Sequence, residues 1–188
     1  MEYDPHIDIQ VTEDVYPPSE DSILLIESLD IREGERILEI GCGSGVVSIH
    51  CARYGGIVTS VDINPSAVEC TRRNAECNHV NLDVRQSDLF DNVPERFDTV
   101  FFNLPYLPVD DEGMLAKAWS GGDDGLGPLP RLLKEVKGHL YEGGRLVVVV
   151  SSLMNQEALD PILNGYKVEV RGQLPLFFEK LQVLEIIP

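Results

Sequence analysis

Two short segments hold the residue types able to do chemistry. Glu39-Ile40-Gly41-Cys42-Gly43-Ser44-Gly45 places a carboxylate ahead of three alternating glycines. Asn103-Leu104-Pro105-Tyr106 sets a side-chain amide, a peptide carbonyl and an aromatic ring in four consecutive residues. Glycine admits φ > 0 and lacks the Cβ that would hold a ligand off the backbone. The first segment therefore reads as a turn against which a nucleotide-like molecule lies. Asp62, twenty-one positions beyond Gly41, stands where a carboxylate accepts ribose hydroxyls. The spacing departs from the dinucleotide fingerprint, because the third glycine comes one residue early and Glu39 precedes the turn. No pyrophosphate needs seating.

The second segment addresses a planar nitrogen. An amide or exocyclic amine is a poor nucleophile because its lone pair is delocalised. The Asn103 side-chain oxygen and the Leu104 carbonyl are two acceptors able to take both hydrogens of such a group, orienting it and raising electron density on nitrogen. Catalysis of this kind rests on proximity and a pre-set electrostatic environment rather than on a strong base. Tyr106 is expected to stack on the planar group.

These residues need a scaffold that brings them to one edge. Apolar runs alternate with helical patterns, which predicts an α/β fold: a doubly wound, mostly parallel seven-stranded sheet in one domain. Strands are expected at Arg36 to Ile40, Ile57 to Val61, Leu82 to Gln86, Thr99 to Phe102, Arg145 to Val150, near Val168, and at Leu181 to Ile186. Helices are expected at Ser19 to Leu29, Val46 to Tyr54, Asn64 to Asn78, Leu129 to Leu140 and Gln156 to Leu163. Asn64-Pro65 is a strong helix start, Asn as cap and Pro at the first helical position. Gly143-Gly144 reads as the turn into the strongest β-forming run. Asp88-Leu89 follows the third strand, at the same sheet edge as Asp62.

Two stretches break the alternation. Residues 1–18 are polar and proline-punctuated and read as an N-terminal extension to a domain over 19–188. Residues 107–128 form a long Gly-, Asp- and Pro-rich loop with the sole tryptophan, Trp119. A structureless loop of that length inside a compact domain is usually functional.

Composition narrows the function. At 188 residues there is room for one sizeable core. A formal net charge of −17 argues against sequence-independent nucleic-acid binding, which needs Lys and Arg to neutralise phosphates. Cys42, Cys51, Cys70 and Cys77 contain no CxxC pair, so reduced, mostly buried thiols are expected rather than a metal site. No apolar run is long enough to span a bilayer, and the acidic N-terminus lacks a secretory pattern, so the chain reads as cytoplasmic.

The glycine turn with Glu39 before it resembles the class I S-adenosylmethionine methyltransferases. Val15-Tyr16-Pro17-Pro18-Ser19-Glu20-Asp21-Ser22, Asp62-Ile63-Asn64-Pro65, Asn103-Leu104-Pro105-Tyr106 and Ala118-Trp119-Ser120-Gly121-Gly122 narrow this to the HemK-related methyltransferases of archaea and eukaryotes. The resemblance covers Val15 to Ile186. It implies S-adenosylmethionine as cofactor and, as reaction, N5-methylation of the Gly-Gly-Gln glutamine in class I translation termination factors. It implies cofactor contacts at Ser22, Glu39, Gly41, Gly43, Asp62, Asp88, Leu89 and Asn103, and catalytic roles for Asn103, Leu104, Pro105 and Tyr106. The loop with Trp119, Gly121 and Gly122 is expected to shape the substrate entrance. The family form is Asn-Pro-Pro-Tyr; Leu104 keeps the carbonyl but loses the fixed φ of proline. Family members work with a small zinc-ribbon activator protein, expected here on the edge strand Leu82 to Gln86. Two other readings stay open: methylation of adenine N6 or a related base amine, and a non-catalytic binding module that keeps the cofactor fold.

Overall fold

The computed structural model describes residues 1–109, 111 and 113–188. Its sheet contains β1 (Arg36–Ile40), β2 (Ile57–Asp62), β3 (Asp83–Gln86), β4 (Phe97–Asn103), β5 (Leu140–Ser151), β6 (Lys167–Pro175) and β7 (Lys180–Ile187) in the order β3-β2-β1-β4-β5-β7-β6. β1 to β5 pair in parallel, and β7 inserts antiparallel between β5 and β6. The helices are α1 (Glu20–Ser28), α2 (Val46–Arg53), α3 (Pro65–Cys77), α4 (Leu129–Val136) and α5 (Gln156–Leu163). Among the described residues no helix is long and apolar enough to cross a membrane.

Period-two alternation splits the central strands between two cores. Leu38, Ile40, Val100, Phe102, Leu146 and Val148 meet Leu129, Leu132 and Leu133 of α4 and Leu159 of α5. Ile37, Val58, Phe101, Val147 and Val149 meet Leu25 and Ile26 of α1 and Val46 and Val47 of α2. A central strand buried on both faces needs an apolar run, which is why β4 and β5 were legible.

Two expectations need correction. The helix expected to reach Leu140 ends at Val136; Lys137–His139 tightens into a 3-10 turn containing Gly138, a poor helix former, and Leu140 already pairs with Phe97. The strand expected to begin after Gly143-Gly144 runs through them. Its register jumps between the pairs Phe97↔Leu140 and Thr99↔Arg145. At Gly144 a Cβ would lie 3.0–3.1 Å from the backbone oxygens of Tyr141, Asp98 and Phe97, so a side chain there would crowd the backbone at this bulge. The cysteines are mostly buried, as expected: Cys42, Cys51 and Cys70 lie inside and Cys77 is exposed.

The N-terminal residues are held by an unusual ladder. Asn78 accepts from Asp8 N (3.1 Å) and donates to Asp8 O (2.7 Å). One helical turn earlier, Asn74 accepts from Gln10 N (3.1 Å) and donates to Gln10 O (2.9 Å). Alternate residues of an extended chain repeat about every 6.8 Å, and residues four apart on a helix about every 6 Å, so two side-chain amides imitate an edge strand. Asn64, whose Oδ1 caps α3 at Ser66 N (3.0 Å), also donates to Asp14 O (2.8 Å). Val15 then packs with Ala67 and Cys70. The strap so formed carries Tyr16-Pro17-Pro18 to the carboxyl edge of the sheet.

Asn74 is the critical member, because its amide also donates to Ser44 O (2.8 Å) and its side chain is buried. Asn74→Ala strands the buried Ser44 carbonyl and releases the Gln10 backbone, and is expected to cost about 2–3 kcal/mol, read from urea unfolding. A loss below about 0.5 kcal/mol would show that water replaces the ladder.

Candidate active site

β1 and β4 are neighbours in the register Ile40↔Phe102, so Gly41 and Asn103 come next on adjacent strands. The sheet order reverses between these strands, and a crevice opens beyond their carboxyl ends. It forms a cleft of about 470 Å³, lined by Ser22, Glu39, Gly41, Gly43, Asp62, Asp88, Leu89, Asn103 and Pro105 from the sequence-derived set.

The glycine turn is tight on one side and open on the other. A Cβ on Gly41 (φ 68°) would sit 2.5 Å from the Phe102 ring, whereas one on Gly43 (φ 53°) would meet nothing within 4 Å. Bare backbone at Gly43 thus faces free space in the cleft wall. Asp62 pins the turn: its Oδ2 accepts from Gly43 N (2.9 Å) and its Oδ1 from Asn64 N (2.8 Å). Each oxygen retains a lone pair. Burial pushes this carboxyl above the usual range, and the backbone donors pull the other way.

Glu39 lies on the α2 side of β1, almost wholly buried. Its Oε2 accepts from Ser48 N (3.1 Å) and from the Ser48 hydroxyl, which also contacts Ser60 Oγ at 2.6 Å. Burial pushes the Glu39 carboxyl up to about 8; the Ser48 hydrogen bonds oppose this and the Asp62 charge adds to it.

Beyond β3, Ser87 Oγ donates to Leu89 O (2.9 Å) and accepts from Asn92 N (2.9 Å). These bonds hold Leu89 at φ 47°, rare for a branched side chain. Asp88 is half exposed and its Oδ1 accepts from Arg131 Nη1 at 2.9 Å. Arg131 of α4 also reaches Asp91 (2.6 Å) and Glu135 (2.9 Å). Its role was not visible in the sequence, where it is one more cation on an amphipathic helix.

At the end of β4, Asn103 Oδ1 is the one buried side-chain oxygen or nitrogen among the described residues without a hydrogen-bond partner. Leu104 is fully buried in the core behind it. Tyr106 does not line the cleft; it packs against both cores. Its phenol is raised mainly by burial, with the charges of Asp21 and Glu179 adding. Asp21 was not singled out from sequence. It is buried, and its Oδ1 gathers Ser22 N (2.6 Å), Ser22 Oγ (3.2 Å) and Ser19 Oγ (2.9 Å), fixing Ser22 at the cleft wall.

The two stretches that broke the alternation meet above the cleft. Tyr16 of the strap and Trp119 of the loop lie with ring centroids 6.1 Å apart at 51°. Trp119 Nε1 donates to Asp111 (2.9 Å), and Leu107 N to Trp119 O (2.9 Å). Trp119, Gly121 and Gly122 do not line the cleft; Met114, Leu115, Lys117 and Ala118 of the same loop do. Gly121 is needed for packing, since a Cβ there would fall 2.8 Å from the Gly125 backbone. Within the loop 107–128, positions 110 and 112 lie outside the described residues.

Comparison with known proteins places the chain among methyltransferases. Residues 19–173 match the family model described as the methyltransferase small domain. A provisionally named protein N5-glutamine methyltransferase of Methanocaldococcus jannaschii is 40% identical over 95% of this chain and 94% of its own length. Human methyltransferase HEMK2 is 32% identical over 84% of this chain and 81% of its own. A methyltransferase crystal structure from Pyrococcus furiosus superposes with a TM-score of 0.75 at 22% identity, over 96% of this chain and 88% of that one, and shares the fold.

Glu39 makes folding stability pH-sensitive. Its carboxyl titrates near 4.5 when unfolded and near 8 when folded. The stability it contributes is therefore full below the unfolded value and lost as pH rises through the folded one. Between about pH 5.5 and 7.5, wild type should lose about 2–3 kcal/mol more than Glu39→Gln in urea unfolding. Parallel pH profiles for the two proteins would mean that Glu39 is ionised throughout.

Proposed function

The chain belongs to the methyltransferase small-domain family, among its HemK-related members, and from that premise we propose N5-methylation of a protein glutamine, that of the Gly-Gly-Gln motif in a class I translation termination factor. The observation that carries this reading is Asn103, a cleft-lining residue whose Oδ1 is a buried acceptor left without a donor. An unpaired buried acceptor costs about 1–3 kcal/mol, which the N–H of a bound carboxamide would relieve.

S-adenosylmethionine, the cofactor of this family, supplies when bound a methyl group carried on a sulfonium sulfur. The residues present fit it. Gly43 leaves room for a ligand against the backbone, and Asp62 has lone pairs left for ribose hydroxyls. Glu39 has one oxygen not engaged by Ser48, suited to the ammonium of the methionine end, with Ser22 beside the same cleft. Asp88 and Leu89 would hold the adenine. Asn103 Oδ1 and the Leu104 carbonyl would each take one hydrogen of the substrate NH2, returning electron density to nitrogen. Away from bulk water such hydrogen bonds are stronger than in solvent. The nitrogen becomes acidic as its new bond forms, so its proton passes to water without a dedicated base. Pro105 lies at the cleft surface, whereas Tyr106, packed into the core beside Asp21, supports the segment from behind.

The partner reading concerns β3, whose outer edge is unpaired at the end of the sheet. Such an edge suits strand addition by the zinc-ribbon activator. Co-expression should give a stable heterodimer; a soluble, fully active monomer that forms no complex would count against it.

Methyl-labelled cofactor offered with purified termination factor or with DNA separates the readings. Label is expected on the glutamine of the protein, and label on DNA alone would transfer the assignment to a base amine. Asn103→Ala should lower kcat by roughly 10²–10³-fold while cofactor affinity changes only a few-fold. Turnover like wild type in that variant would remove the mechanism.

A further inference from the structure

The hairpin joining β6 to β7 ends in Leu176-Phe177-Phe178-Glu179. Phe177 and Phe178 are 93% and 85% exposed, the highest values among the large apolar side chains described. Their rings meet edge to face, centroids 4.6 Å apart at 86°, and neither belongs to a core cluster. Leaving such a side chain in water instead of burying it forgoes about 1.5–3 kcal/mol, so folding does not explain the pair.

The tip is also firmly built. Leu176 N donates to Glu179 O (2.7 Å), and Ser151 Oγ to Glu179 Oε2 (2.5 Å). Ser152 N donates to Lys180 O (2.9 Å), and Lys180 N to Ser152 Oγ (2.9 Å). Two rings are thus presented on a braced support.

Its location ties it to the cleft. β7 pairs with β5 at Ser151↔Leu181, and Asn103 pairs with Val149 of the same β5. The hairpin therefore rises from the sheet edge that carries the site, two strand spacings or about 10 Å to the side of β4. Glu179 is near enough for its charge to act on the Tyr106 phenol.

Charge selects the occupant. The chain carries −17, and Glu179 adds a carboxylate to the tip itself. A second copy would bring the same charge and be repelled, whereas a basic surface would be drawn in. We propose that the Phe177-Phe178 tip is the docking knob for the body of the protein substrate, seated in an apolar socket ringed by basic residues beside the glutamine to be methylated. This rests on the glutamine reading above. Rigid exposed aromatics are the usual anchors of protein interfaces.

The test compares full-length termination factor with a short Gly-Gly-Gln peptide as methyl acceptors for wild type and F177S/F178S. Both side chains are exposed, so the variant keeps its fold. KM for the protein should rise by about ten-fold or more at unchanged kcat, with peptide methylation unaffected. An unchanged KM for the protein, or equal losses on both acceptors, overturns the proposal. A wild-type dimer that the variant converts to monomer assigns the knob to a second copy and also overturns it. If wild type methylates neither acceptor, the glutamine reading falls. Direct binding of termination factor to the two proteins then decides the knob: weakened binding by the variant supports it and equal binding sinks it.

Discussion

The end of β4 keeps one amide oxygen dry and without a donor. Asn103 Oδ1 stays in that state because β4 is clamped on both sides, by β1 through Phe102 and by β5 through Asn103 itself. The next residue closes the arrangement. Leu104 buries its side chain in the core, so its place is set by packing where the family pattern uses the fixed φ of a proline ring. Substituting leucine for proline thus exchanges a covalent restraint for a packing one. The peptide carbonyl at this position is the same whichever side chain stands there.

The electrostatics of the empty cleft point the same way. Glu39 and Asp62 are two acids at one cleft wall, each raised by burial, and the charge of Asp62 adds to the shift at Glu39. Their surroundings offer hydroxyl and peptide donors but no side-chain cation at hydrogen-bond distance among the described residues. Burial therefore favours the neutral acid at Glu39, and a nearby positive group would draw its proton off. A ligand bearing both an ammonium and a sulfonium suits such a wall, whereas a pyrophosphate would not.

Much of this could be read from residue order. β1, β2, the Asn64 cap and the glycine turn were legible because each rests on local rules: an apolar run, a cap, a positive φ. Features set by distant partners were not. Gly143-Gly144 has the composition of a turn, and only the oxygens of Phe97 and Asp98 make it the middle of a strand. Tyr106 belongs to the motif, but its neighbours Asp21 and Glu179 come from sites far along the chain. Trp119 and the glycines after it proved to shape a loop whose cleft-facing members, Met114, Leu115 and Lys117, carry no motif.

The asparagine ladder has one more consequence. Asn74 Nδ2 holds the carbonyl of Gln10 in the strap and that of Ser44 in the glycine turn at once. Strap and glycine turn are thus joined through one nitrogen of α3, a link that runs behind the ligand space rather than across it.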